Sequence, residues 1–120
     1  MSKVLMVDDS RMSRKMLREI LEKAGYEVVG EASNGVEGLE QYKSLKPDVV
    51  TMDITMPEMD GIACLTEIKK ENPDAKVIMV TAAGQSSKLV EALKLGASEF
   101  ICKPYEPEQI LNALKEVTKE

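Results

Sequence analysis

The sequence contains no histidine. That absence removes the commonest general base, the usual nitrogen ligand for metals and every catalytic triad built on imidazole. Chemistry in this chain must therefore run on carboxylates, hydroxyls, lysine or backbone. A divalent ion must find oxygen ligands, which suits magnesium or calcium better than zinc. Cysteine is scarce as well. Cys64 and Cys102 stand far apart with no paired ligand spacing, so neither a zinc site nor CxxC redox chemistry is supported, and both read as buried, reduced packing residues. No apolar run approaches the length of a membrane span, and the stretch after Met1-Ser2-Lys3 is too short for the core of a signal peptide. A soluble, cytoplasmic protein with no membrane contact is expected. Nor is there an excess of basic charge. Sixteen Lys and Arg against twenty-one Asp and Glu leave a net charge of −5, a field that repels a phosphate backbone and argues against nucleic acid as a partner. Repeats, linkers and low-complexity segments are missing too.

What is present is an alternation. At 120 residues, with 43% apolar and 31% charged side chains, the chain has the size and composition of a single globular domain. Short β-type runs are predicted at Lys3 to Val7, Glu27 to Ala32, Val49 to Met52, Lys76 to Val80 and Glu99 to Cys102. Several are nearly continuous in Val, Ile, Leu and Met, as expected of strands covered on both faces. Between them the period changes to about 3.6. Met12, Met16, Leu17, Ile20, Leu21 and Ala24 share one helical face that Gly25 closes. Ser33-Asn34-Gly35 turns the chain into a second helix carrying Val36, Leu39, Tyr42 and Leu45, stopped before Pro47. Ile62, Leu65 and Ile68 mark a third, while Leu89, Val90 and Leu93 mark a fourth that ends at Gly96. Ile110, Leu111, Leu114 and Val117 mark a fifth, with Pro107 near its first turn. Five βα units with right-handed crossovers predict a three-layer, doubly wound α/β fold with a five-stranded parallel sheet, whose functional edge lies outside the carboxyl ends of the strands.

Four of the five strand ends deliver a polar group to that edge. Asp8-Asp9 follows the first strand, Asp53 the third, Thr81 the fourth and Lys103 the fifth. Alone, each has a plainer reading as a helix cap, a turn residue or a surface charge; their joint placement argues against coincidence. Carboxylates about 4 Å apart repel by about 4 kcal/mol at an effective dielectric near 20, so three of them in one crevice call for a cation, and Mg²⁺ accepts such an incomplete oxygen cage. A carboxylate is already ionised at neutral pH and needs no base to act as a nucleophile, which opens phosphoryl chemistry through an aspartyl phosphate without histidine in this chain.

Val7-Asp8-Asp9-Ser10, the run Met52-Asp53-Ile54-Thr55-Met56-Pro57-Glu58-Met59-Asp60-Gly61, Thr81-Ala82 and Phe100-Ile101-Cys102-Lys103-Pro104 together resemble the receiver domain of bacterial two-component response regulators. The resemblance spans essentially the whole chain, with the motifs in the family's order. Met56-Pro57, Ala83-Gly84-Gln85 and Lys103-Pro104-Tyr105 are most similar to the family's stand-alone chemotaxis regulators. The resemblance implies a flavodoxin-like (βα)5 fold with sheet order 2-1-3-4-5, and one receiver domain over residues 1–120 with no output domain. It implies that a chemotaxis-type sensor histidine kinase phosphorylates Asp53. Asp8, Asp9, Asp53 and the Thr55 carbonyl would hold Mg²⁺, and Lys103 would contact the phosphoryl group. Thr81 would then move to bond it, with Phe100 turning inward as the aromatic switch and the Lys103-Pro104 bond cis. Catalysis would be confined to the protein's own phosphorylation and slow dephosphorylation, so it is not an enzyme. The implied output surface comprises the fourth helix, fifth strand and fifth helix, here with Lys88, Leu89, Glu91, Phe100, Tyr105, Gln109 and Asn112. Its expected partner is a flagellar motor switch protein bound by a monomer, with a phosphatase as a further partner.

Thr55 and Ala83, each two residues beyond Asp53 and Thr81, offer no carboxamide or carboxylate to orient water, so slow self-dephosphorylation is expected. The alternatives are a phosphorelay carrier, a flavodoxin-like electron carrier and a Mg²⁺-dependent phosphatase for external substrate. A flavin phosphate wants donors after the first strand, where Asp8-Asp9 has the wrong sign. A phosphatase of that type would have a second acid two residues after the first, whereas Asp8 is followed by Asp9-Ser10.

Overall fold

In the computed structural model, which describes residues 2–82 and 84–118, strands and helices alternate from end to end. The order is β1 (Lys3–Val7), α1 (Arg11–Lys23), β2 (Glu27–Ala32), α2 (Gly35–Leu45), β3 (Val49–Asp53), α3 (Gly61–Glu71), β4 (Val77–Thr81), α4 (Ser86–Lys94), β5 (Glu99–Cys102) and α5 (Pro107–Thr118). Every pairing is parallel and the sheet runs β2-β1-β3-β4-β5, the flavodoxin-like arrangement. The strands are apolar throughout because each feeds two cores. On β1, Val4 and Met6 join Leu17 and Leu21 of α1 and Ile110 and Leu114 of α5, whereas Leu5 and Val7 join Tyr42 of α2 and Cys64, Leu65 and Ile68 of α3. Each of these aliphatic side chains, fully buried, contributes about 1.5–3 kcal/mol.

The helices start where a side chain can satisfy their first free N–H groups. Ser10, Asn34 and Asp60 sit at the N-caps of α1, α2 and α3 and accept from the backbone N–H groups of Ser13, Glu37 and Ala63. Glu37 reaches back past the cap and accepts from both the N–H and the hydroxyl of Ser33, pinning the turn that enters α2. Gly25 closes α1 at φ 94°, the left-handed conformation its position requires. Lys46 ends α2 in the same conformation at φ 48°, just ahead of Pro47.

Several expectations need correction. The third strand continues through Asp53, and the fourth begins and ends one residue later than predicted, at Val77 and Thr81. The apolar face read on α1 is wider than the face it buries: Leu17 and Leu21 are inside, but Met12 is 69% exposed and Met16 and Ala24 are also exposed. On α4, Val90 and Leu93 are likewise exposed, and the small Ala92 is the residue that packs inside. Cys64 is buried as expected, but Cys102 is exposed, because β5 is the last strand of the sheet and its outer side has no neighbouring strand.

Candidate functional site

Parallel strands bring the ends of β1, β3, β4 and β5 to one edge, and the loops that leave them carry the predicted polar residues. Asp8 is the first residue beyond β1. Its N–H still donates to the Ala32 carbonyl at 3.0 Å, while its carboxylate accepts from the Ser10 N–H at 2.8 Å and from Lys103 Nζ at 3.1 Å. Asp53 ends β3 and is only 9% exposed, with Oδ1 accepting from the Ile54 N–H at 3.1 Å. Asp9 is exposed. One carboxylate oxygen from each of Asp8, Asp9 and Asp53 lies within 4.8 Å of the others. Lys103 Nζ stands 3.9 Å from Asp53 Oδ1 as well as 3.1 Å from Asp8 Oδ2, so a single ammonium is shared between two of the three carboxylates.

The local backbone explains why these groups can crowd together. The Gly61 N–H donates to the Ile54 carbonyl at 2.7 Å, and a Cβ on Gly61 would lie 2.0 Å from the Asp53 carbonyl oxygen. Only glycine lets α3 start this close to the strand end. On the other side, the Lys103 N–H donates to the Thr81 carbonyl at 2.7 Å, and the Lys103–Pro104 peptide is cis, as expected.

Electrostatically the pocket is short of positive charge. Burial, reinforced by the Asp8 charge and less strongly by Asp9, raises the Asp53 pKa to about 6, against the pull of Lys103 and of the Ile54 N–H. Burial and the nearby Asp8 also push up the Tyr105 hydroxyl. Hard oxygen donors, a shortage of cationic partners and the lack of nitrogen ligands fit a small divalent cation such as Mg²⁺. When bound, such an ion supplies positive charge to a transferring phosphoryl group.

Around this centre lie the other predicted residues. The Thr81 hydroxyl, buried, donates to Cys102 Sγ at 3.5 Å and so faces β5. Gln85 Nε2 donates to Thr55 Oγ1, and its Oε1 accepts from the Ala82 N–H at 2.8 Å, which ties the β3–α3 loop to the β4–α4 loop. Ala83 lies outside the described residues. Phe100 is 40% exposed and lines an open cleft of about 600 Å³ with Cys102, Gln109 and Asn112. Lys88 and Glu91 are exposed on α4, while Leu89 and Tyr105 are half-buried.

Two participants escaped the sequence reading. Arg14 Nη1 donates to the Asp8 carbonyl at 2.6 Å, and its Nε donates to Glu31 Oε1 at 3.0 Å. No motif marks either residue, and only the fold brings α1 and β2 together here.

Response regulator receiver domain is the family whose model matches the chain, over residues 4–115. Chemotaxis protein CheY of Thermotoga maritima is 55% identical over 117 residues, covering 98% of each chain. Chemotaxis protein CheY of Bacillus subtilis is 49% identical over 112 residues, covering 93% of each. Among solved structures, a chain of the CheX–CheY–BeF3–Mg²⁺ complex from Borrelia burgdorferi superposes with a TM-score of 0.92 at 38% identity, covering 97% of this chain and 88% of that one. These likenesses leave no place for the electron-carrier and external-phosphatase alternatives. With its acidic pocket at the carboxyl edge of a 2-1-3-4-5 sheet and its full-length similarity to CheY proteins, the chain belongs to the response regulator receiver domain family, as a CheY-like signalling protein rather than an enzyme.

Proposed function

We propose that the chain acts as a single, monomeric, cytoplasmic receiver domain whose Asp53 carboxylate takes a phosphoryl group from the phosphohistidine of a chemotaxis-type sensor kinase. An Asp53 oxygen attacks phosphorus, the new O–P bond forms as the N–P bond breaks, and the imidazole leaves with a proton. Asp8, Asp9, Asp53 and the Thr55 carbonyl would hold Mg²⁺, and Lys103 Nζ would neutralise a phosphoryl oxygen. The carrying observation is the convergence of three carboxylates within 4.8 Å, with Lys103 reaching Asp8 and Asp53.

Signal output follows from what surrounds that charge. The Thr81 hydroxyl would leave Cys102 Sγ for a phosphoryl oxygen, and half-exposed Phe100 would follow it inward. The face carrying Lys88, Leu89, Glu91, Phe100, Tyr105, Gln109 and Asn112 would then bind a flagellar motor switch protein, and a phosphatase partner would reset the site. No helix among the described residues is long and apolar enough to cross a membrane, in keeping with a cytoplasmic role.

Intact mass after incubation with acetyl phosphate and Mg²⁺ tests the first step. A gain of one phosphoryl group, lost in Asp53→Ala, is expected; an unchanged mass, or an adduct that survives the substitution, overturns it. Capture on a flagellar switch peptide only after beryllofluoride and Mg²⁺ treatment separates motor signalling from a phosphorelay carrier, which would instead pass its phosphoryl group to a second histidine-bearing protein.

A further inference from the structure

Arg14 sits in the first turn of α1 with its side chain only 15% exposed, directly behind the metal-ligand candidate Asp8. Its guanidinium spans two elements: Nη1 holds the Asp8 carbonyl at 2.6 Å, and Nε holds Glu31 Oε1 on β2 at 3.0 Å. Glu31 is itself fixed through its other oxygen, 2.8 Å from Arg18. The Asp8 backbone is therefore gripped from both sides, its N–H by the Ala32 carbonyl of β2 and its carbonyl by α1. Arg14, Asp8 and Asp53 also line one small closed cavity beneath the site, together with Ser13 and Thr51.

From this geometry we infer that Arg14, braced by Glu31, is a positioning residue that fixes Asp8 for cation binding. The inference rests on the reading of Asp8 as a cation ligand given above. A rigid planar fork is needed, because one side chain must satisfy a carbonyl and a carboxylate in different directions, which the single ammonium of lysine does with poorer geometry. Charge cannot be the reason for Arg14 here. A fixed positive group behind an acidic pocket repels the incoming cation, and Lys103 already supplies an ammonium on the open side.

The two accounts consequently predict opposite signs. If Arg14 acted only as a charge, removing it would tighten Mg²⁺ binding; if it positions Asp8, removing it loosens binding despite the lost repulsion. Mg²⁺ affinity of the full chain, followed by amide shifts at constant ionic strength, is the readout. Both Arg14→Met and Arg14→Lys are expected to weaken Mg²⁺ binding about tenfold, the lower end for partners that orient a ligand, and Glu31→Gln is expected to weaken it by a smaller factor. Thermal midpoints in EDTA report any general loss of stability, and Glu31→Gln keeps the test open if an Arg14 variant folds poorly. Mg²⁺ affinity equal to or tighter than wild type in Arg14→Met, or unchanged in Arg14→Lys, overturns the positioning role. Asp8→Asn separates the two levels. If it binds Mg²⁺ as wild type does, the ligand assignment fails and the inference with it; if it loses binding while Arg14→Lys keeps it, only the inference fails.

Discussion

Asp53 is charged in a place that resists charge. Because burial and Asp8 raise its pKa from the ordinary 3.8 to about 6, the folded protein holds this proton more tightly than the unfolded chain does. Between those values the unfolded chain has released the proton and the fold has not, so this residue makes stability fall as pH rises, with the full loss present above about pH 6. At 1.36 kcal/mol per pH unit the loss is on the order of 3 kcal/mol. Asp53→Asn removes the ionisation while keeping the shape, so in EDTA at pH 7 it is expected to be more stable than wild type by about 1–3 kcal/mol. Urea unfolding measures this, and an Asn variant no more stable than wild type would contradict the account. Cys64 illustrates the opposite use of burial. Its thiol is pushed up to about 12, chiefly by desolvation and secondarily by Glu67, which leaves it an inert filler of the core.

The elements were legible in the sequence wherever one local signal was enough to define them. Strands buried on both faces announce themselves by unbroken Val, Ile, Leu and Met, and the turn at Asn34-Gly35 carries its own capping chemistry. Which part of a helix's apolar stripe ends up inside was not legible, because it depends on where the neighbouring helices lie; hence Met12, Met16, Val90 and Leu93, all on apolar helical faces in the sequence, are exposed. The same distinction holds at the site. Asp8, Asp53 and Lys103 were recognisable because each stands at the carboxyl end of a strand, whereas the Arg14–Glu31 pair joins residues 17 apart on different elements. Two predictions belong at this scale. The close approach of α3 to β3 makes Gly61→Ala costly: with a Cβ 2.0 Å from the Asp53 carbonyl, backbone must shift, and a loss of about 2–4 kcal/mol is expected in urea unfolding, together with displaced Ile54 and Asp53 amide resonances. Helix α4 is the weakly anchored element, with no side-chain cap bond at its start, one buried residue, and Gln85 committed to Thr55 and Ala82. Gln85→Ala should therefore speed hydrogen exchange at Leu89 and Ala92 about fivefold, corresponding to the loss of roughly 1 kcal/mol of hydrogen bonding, while amides of β1 and β3 stay protected.

At the scale of the whole molecule, the acidic pocket makes folding, protonation and cation binding one linked equilibrium. A cation that binds the folded site adds RT ln(1 + [L]/Kd), about 1.4 kcal/mol at ten times Kd. A cation held beside Asp53 would favour the ionised carboxylate and so oppose the loss that burial causes; the stability added by the bound cation would then grow as pH rises and disappear when acid protonates the site. Glu31 contributes separately. Burial pushes its pKa up, but hydrogen bonds from Arg18 and Arg14 outweigh that and leave it lowered, so its stabilisation is present at neutral pH and lost on acidification. That background is common to both conditions and cancels in their difference. Urea midpoints from pH 4 to 7, measured in EDTA and again with saturating Mg²⁺, should therefore diverge steadily as pH rises, with the largest gap at pH 7. In Asp53→Asn the gap should be smaller and nearly flat with pH, because the titrating carboxylate is gone while Asp8 and Asp9 remain. Parallel profiles in the wild-type protein would mean that no cation enters the carboxylate cluster in the folded state, and the linkage between the pocket's charge and the stability of the fold would have to be abandoned.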